Sequence, residues 1–367
     1  MKVLQIANDY FGTKLYQRLF DALEVKKISS LVVVPVAYHA KIHPSTQDDV
    51  LQLPCYSNLD RILYFPKQKA LFSAIEKRVE QNTYDIVHAH TVFSAGYAAC
   101  QLKKRHGIPY IVAVRNTDVN VFFKKMPHLR PVGVRILRQA EKIVFLSPAY
   151  RETVFDQYVP KKYHEELRAK SVVIPNGIDP LFFENKGTAR KLQKESLNLI
   201  YVGEISSNKN LELTVEAVKK LRAEGMNATL RVVGEIREES YRKLMEETPF
   251  ISYYARCPLQ QVLEHLRQSD IFVMPSHTET FGLVYAEAMS QGLPVLYTRG
   301  QGFDGQFSEG SVGYAVSDTD AEEIVERVKA VIEDYAVLSE NCIQMAKRFD
   351  WDAIAKRYCE IYQGISS

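Results

Sequence analysis

The sequence predicts an α/β protein built from two Rossmann-like, doubly wound domains that face each other across a cleft. Three observations carry this expectation. Short, nearly continuous apolar runs alternate with amphipathic stretches, the pattern of parallel strands covered by helices on both faces. The alternation restarts after a turn-rich break near the middle of the chain. And 367 residues exceed what one ordinary core holds together.

The elements follow in order. KVLQIA, SLVVVPVAY, DIVHAH, YIVAVRN, KIVFLS and SVVIPN read as buried parallel strands of the first domain. KLYQRLFDALE and SAGYAACQLKKRHG are amphipathic helices between them. The break lies at 174–198, where Asn176-Gly177 and Asp179-Pro180 are turn chemistry and a basic, polar connector follows. LNLIYVG, ATLRVVG, ISYYA, DIFVMPS and PVLYTR then form a second strand series. This places the first domain at 1–175 and the second at 176–349. Ligands of such folds bind beyond the carboxyl ends of the strands.

Composition narrows the setting. The five cysteines are scattered and odd in number, which argues for a reducing, cytoplasmic compartment and against a disulfide framework or structural zinc. The start, MKVLQIANDYFG, reads as a first strand and not as a signal peptide. No apolar run approaches the ~20 residues that cross a bilayer. Residues 1–175 hold 26 Lys/Arg against 15 Asp/Glu, whereas 176–367 hold 21 against 29. The basic first half suits an anionic partner such as a phosphorylated acceptor or a membrane surface, with a solvated basic face as the plainer alternative. FFKKMPHLRPVGVRILRQ, 122–139, mixes aromatics with cations and is the candidate for peripheral contact with the inner face of an anionic membrane. Nucleic acid is not expected, because no recognised module accompanies the charge.

The chemistry concentrates in the second half. In HTETFGLVYAEA, 277–288, Glu279 precedes a helix that begins near Gly282, and Glu287 lies within that helix. The glycine lets ligand oxygens approach the Phe281–Leu283 backbone, where a helix start leaves orphan amides that favour phosphate. A carboxylate repels phosphate but accepts hydrogen bonds from hydroxyls. An acid on each side of an anion site therefore suits ribose, diphosphate and hexose, the layout of a nucleotide sugar. In VGEISSNKNLEL, Lys209 stands at a second helix start, where a full positive charge would add to the dipole.

PSHTETFGLVYAEAMSQGLPV closely resembles the signature of family-4 retaining glycosyltransferases of the GT-B fold. DIVHAHTVFSAG, VFLSPAY, VIPNGID, VGEISSNKN and FDWDAIAKRYCEIY extend the resemblance over most of the chain. It implies that Glu279 contacts the donor sugar and Glu287 the ribose. It also implies that the amides of Phe281, Gly282 and Leu283 hold the diphosphate with help from Lys209, that Thr280 and position 204 (here Glu204) belong to the donor site, that Gly12 faces the diphosphate from the first domain, and that Tyr254–Pro258, with Arg256, lies along the base. His90, Asn116 and Asp118 fall on the acceptor side, and the helix at about 350–367 crosses back to the first domain. Two positions depart from the family: Glu204 stands where an arginine is usual, and Arg115 where a histidine is usual. We expect Arg115 to replace the missing charge or to pair with Glu204, which makes it a catalytic candidate beside Glu279 and Lys209. His90 reads equally as a core histidine, and GQGFDG, 300–305, reads more readily as a turn than as a loop that touches donor or acceptor through Asp304.

The resemblance implies transfer, with retention of anomeric configuration, from a UDP-sugar to a glycan, glycolipid or cell-surface polysaccharide. Neither metal nor cofactor is expected, since no Asp-x-Asp pair stands where a magnesium diphosphate would sit. Two other readings share the donor site: a non-catalytic nucleotide-sugar-binding subunit and a GT-B sugar-nucleotide epimerase.

Overall fold

A computed structural model describes residues 1–40, 42, 49–57, 63–80, 83–192 and 196–366; part of the connector, 193–195, lies outside them. The chain forms two compact units. One comprises Met1–Leu146, Arg151–Pro175 and Trp351–Ser367, the other Ser147–Tyr150 and Asn176–Asp350. Among the described residues, no helix is long and apolar enough to cross a membrane.

The first unit holds β1 (Lys2–Ile6), β2 (Ser29–Ala37), β3 (Val50–Tyr56), β4 (Ile86–Ala89), β5 (Tyr110–Val114), β6 (Lys142–Phe145) and β7 (Ser171–Val173). They pair in parallel in the order β3-β2-β1-β4-β5-β6-β7. The second holds β8 (Leu197–Val202), β9 (Ala228–Val233), β10 (Ile251–Tyr254), β11 (Ile271–Met274), β12 (Val295–Thr298) and β13 (Gly313–Val316), ordered β10-β9-β8-β11-β12-β13 and again parallel. In both sheets the order reverses beside the first strand, and the loops leaving either side of that switch point make a crevice for ligands.

Two strands escaped the sequence reading, β3 and β13, and both are edge strands. An edge strand lacks a neighbour on one side, so its sequence is under less pressure to be continuously apolar. β3 (VLQLPCY) carries Pro54, which an edge tolerates. β13 is four residues long and opens on Gly313, where a Cβ would stand 1.9 Å from the Val295 carbonyl oxygen.

The closing helix Trp351–Ser366 belongs to the first unit. Its Ile354, Ala355, Tyr358 and Tyr362 share a core with Val3, Leu19 and Leu23, and Lys26 pairs with Asp352 at 2.5 Å. At the centre of that sheet a polar chain crosses the core. Tyr362 Oη and His88 Nδ1 share a 2.7 Å hydrogen bond, the His88 and His90 rings stack at 3.8 Å, and His90 Nε2 meets Gln5 Oε1 at 2.9 Å.

Burial, aided by the Arg115 charge, holds both imidazoles well below their ordinary range. Both are neutral above an unfolded value of ~6.5, and below it only the unfolded chain takes up their protons. Stability should therefore be fully present above about pH 6.5 and fall as the pH drops beneath it. The single buried Asp118, raised to about 6 chiefly by burial, works in the opposite direction and offsets part of the loss. Denaturant midpoints at pH 7.5 and 5.5 check this; a midpoint that rose on acidification would contradict it, and His90→Gln should flatten the decline.

Candidate functional site

The second unit brings together residues that lie 70 positions apart in sequence. β8 and β11 are neighbours across the switch point, so the loops 203–210 and 275–282 leave side by side. They are joined by hydrogen bonds from His277 N–H to Asn208 O at 2.9 Å, from Asn208 Nδ2 to Thr278 O at 3.0 Å and from Asn210 Nδ2 to Pro275 O at 3.0 Å. Asn210 adopts φ 56, a left-handed conformation that asparagine tolerates, and starts the helix Leu211–Ala223. This turn carries Lys209 to Glu279. Lys209 Nζ and Glu279 Oε2 form an ion pair whose side chains are only 21% and 13% exposed. The second oxygen of Glu279 accepts the Thr280 N–H at 3.1 Å.

Gly282 caps the helix Leu283–Ser290 at φ 71, and a Cβ there would stand 2.4 Å from the Tyr285 ring. Tyr285 is held in place by its own hydroxyl, which donates to Met274 O at 2.5 Å. The glycine is thus required both by its backbone angle and by the ring behind it. The first amides of this helix belong to the donors that no intrahelical carbonyl satisfies, and they open beside the Lys209–Glu279 pair. Glu287 lies one turn further along the same helix, partly buried. Positive charge, helix amides and the Glu279 carboxylate therefore converge on one spot, an arrangement that can hold an anion with a hydroxyl group beside it.

GQGFDG does more than turn. Gln301 Oε1 accepts the Glu279 N–H at 3.0 Å, and Gly302 N–H donates to Glu279 O at 2.7 Å. A Cβ on Gly302 would stand 1.9 Å from Thr280 O. This loop is the mould in which the Glu279–Phe281 backbone is set, and no residue type in it signals that role. Asp304 stays local, accepting the Gly300 N–H at 2.7 Å.

Glu204 and Arg256 do not join that group. They line an adjacent cavity of about 270 Å³ at the ends of β8 and β9, with Glu235, Arg237 and Cys257. Glu204 finds its cation inside its own domain, in Arg237 at 3.2 Å. The signal missed was a repeat: VGEI occurs at both 202–205 and 233–236.

In the first unit, two expectations need correction or narrowing, those for His90 and Asp118. His90 is fully buried and bonded to Gln5, a core residue and not a lining one. Asp118 is also fully buried. Its carboxylate accepts the N–H groups of Val92 and Phe93 at 3.0 Å and of Arg115 at 2.9 Å, so it fixes the chain where β4 and β5 end. Asn116 is exposed and bonded to Asn120 at 2.5 Å. Arg115 lies over the Tyr16 ring at 6.0 Å. Gly12 is exposed in the loop after β1, where a Cβ would meet Asp9 Oδ1 at 2.2 Å.

Residues 183–349 match the family described as glycosyl transferases group 1, and residues 33–181 match glycosyltransferase family 4. An uncharacterized glycosyltransferase of Methanocaldococcus jannaschii is 22% identical over 78% of this chain and 78% of its own. The apo lipopolysaccharide outer core galactosyltransferase WaaB has the same fold, with a TM-score of 0.76, 14% identity and coverage of 99% of this chain and 100% of its own. So does Anabaena HepE in complex with UDP and glucose, with a TM-score of 0.66, 16% identity and coverage of 99% and 100%.

Proposed function

This chain is a glycosyltransferase of the GT-B type, and from that premise we propose that it moves a sugar from a UDP-sugar to a glycan, glycolipid or cell-surface polysaccharide, with retention and without a metal ion. The observation that carries this reading is the meeting of Lys209, Glu279 and the Gly282 helix start at one switch point. Departure of a nucleoside diphosphate builds negative charge on its phosphate oxygens. Preorganised amides at Phe281–Leu283 and the Lys209 ammonium meet that charge without reorganising, which is the largest usual source of catalysis. Glu279, released from Lys209 by the incoming diphosphate, is free to accept sugar hydroxyls, and Glu287 serves the ribose. The leaving phosphate accepts the acceptor's proton as attack occurs on the face it vacates.

Uridine as the base is supported by the UDP held in the Anabaena relative, and a cell-surface acceptor by the likeness to a lipopolysaccharide galactosyltransferase. A nucleotide-sugar panel tests the donor. UDP-sugars at about 100 times Kd should stabilise the fold by ~2.7 kcal/mol and raise Tm, and slow release of UDP should follow. Stabilisation without any release would leave a binding subunit in place of an enzyme, and no stabilisation by any nucleotide sugar would sink the donor assignment.

The first domain's basic segment bears on the acceptor. Phe123 is buried and Phe122 stacks on Phe93 at 4.7 Å, so these aromatics face inward, while Lys124, Lys125 and Arg135 are exposed. Membrane attraction by this face is then electrostatic, without ring insertion. Co-sedimentation with phosphatidylserine vesicles should be lost between low salt and about 0.5 M, because screening shortens the Debye length to a few ångströms. Binding that survived that salt would contradict a purely electrostatic contact.

A further inference from the structure

The repeated VGEI segments continue the β8–β9 pairing beyond the strand ends. Gly203 N–H donates to Val233 O at 3.0 Å, Ile205 N–H to Glu235 O at 2.9 Å, and Arg237 N–H to Ile205 O at 3.0 Å. The two chains approach so closely that a Cβ on Gly234 would stand 1.7 Å from Gly203 O. A further bond, Ser207 N–H to Glu238 Oε1 at 2.9 Å, ties the Lys209 loop to the loop of Arg237. The backbone of Arg237 is thereby fixed relative to that of Lys209, and its side chain stands at the rim of the cavity described above.

The charges at this rim are arranged unevenly. Arg237 Nε lies 3.2 Å from Glu204 and its Nη1 2.9 Å from Glu235. Arg256 is 81% exposed and only 3.8 Å from Glu235. Two carboxylates beside a diphosphate site oppose the ligand unless they are neutralised. A guanidinium has five N–H donors, and the two carboxylates engage one on each of two nitrogens, which leaves the rest of the fork for other oxygens. A half-exposed ion pair of this kind contributes about 0–1 kcal/mol to the fold, too little to account for a braced loop on stability grounds.

We propose that Arg237 is a donor-binding residue: its guanidinium is held ready by Glu204 in the free protein and transfers to the diphosphate oxygens of a nucleoside diphosphate. Position 204 then serves as the resting partner of the cation and Arg237 supplies the charge that Glu204 does not. This rests on the donor reading given under Proposed function. The competing explanation is that Arg237 merely neutralises Glu204, and the two differ in what a double variant does.

Titration calorimetry of the full chain with UDP, GDP and ADP identifies the diphosphate bound most tightly, and the corresponding nucleoside serves as control. Arg237→Ala should weaken that diphosphate about 10- to 100-fold, the usual range for a hydrogen bond to a charged group, and the nucleoside less than about twofold. Glu204→Gln/Arg237→Ala should remain at least about tenfold weak. Recovery of wild-type affinity in the double variant would overturn the proposal in favour of simple neutralisation, and an unchanged diphosphate affinity in Arg237→Ala would overturn it outright. A wild type that binds none of the three diphosphates would instead remove the donor reading, and this proposal with it.

Discussion

Lys209→Ala should reduce turnover by about 10²- to 10³-fold while leaving the fold intact, the cost of removing one preorganised charge partner of a leaving group. Two effects act in the same direction. The substitution removes the cation that answers the developing phosphate charge. It also strands Glu279, whose side chain is 13% exposed and whose Oε2 has Lys209 as its ion-pair partner, as a carboxylate beside the incoming diphosphate. The second effect can be separated from the first. Adding Glu279→Gln to Lys209→Ala removes the repulsion, so the double variant should bind UDP more tightly than the single one, although it regains little turnover. That coupling is what a double-mutant cycle reads for residues in contact. Equal UDP affinities in the single and double variants would mean that the ion pair does not face the phosphates.

Gly302→Ala carries the next largest expected effect, and it acts at a distance from any ligand. The new methyl would stand 1.9 Å from Thr280 O and 2.4 Å from Phe281 N, and both of these are backbone atoms that cannot swing aside. The segment Glu279–Phe281 must shift, together with the bonds that Gln301 and Gly302 make to Glu279. Overpacking of this kind costs about 1–3 kcal/mol, and displacement of catalytic groups by ~1 Å costs about 10²-fold in rate. Turnover should therefore fall further than the drop in Tm alone would suggest. Gly300→Ala is the matched control. Gly300 sits at φ +75 with nothing within 4 Å of an added Cβ, so its substitution strains only its own backbone and should spare most activity. Turnover unchanged in Gly302→Ala, or lost equally in both variants, would refute the role of this loop as a mould.

Much of the fold was legible because parallel strands buried on both faces are nearly all apolar, as in YIVAV and IFVM, and their burial is complete. The Gly282 helix start was legible for the same local reason: a positive φ and an exposed helix end leave their mark in the residue type. The edge strands β3 and β13 were not, because an edge relaxes the demand that makes strands recognisable.

What the sequence determined by itself, then, was the set of parts: two strand series, a glycine-capped helix with an acid on either side, and a lysine at a second helix start. Tertiary structure alone decided the partners. Side chains 70 residues apart meet only because β8 and β11 flank a switch point, and Glu204 is matched by Arg237 only because the β8–β9 ladder runs on past its strands. His90 and Asp118 went to the core for a related reason. A polar residue at a strand end has the same letter whether it meets a ligand or a neighbour, and only the packing of Gln5 and of the Val92 and Phe93 amides around them settles which. Residue type records what the local backbone requires; which long-range neighbour satisfies a side chain is recorded in the topology.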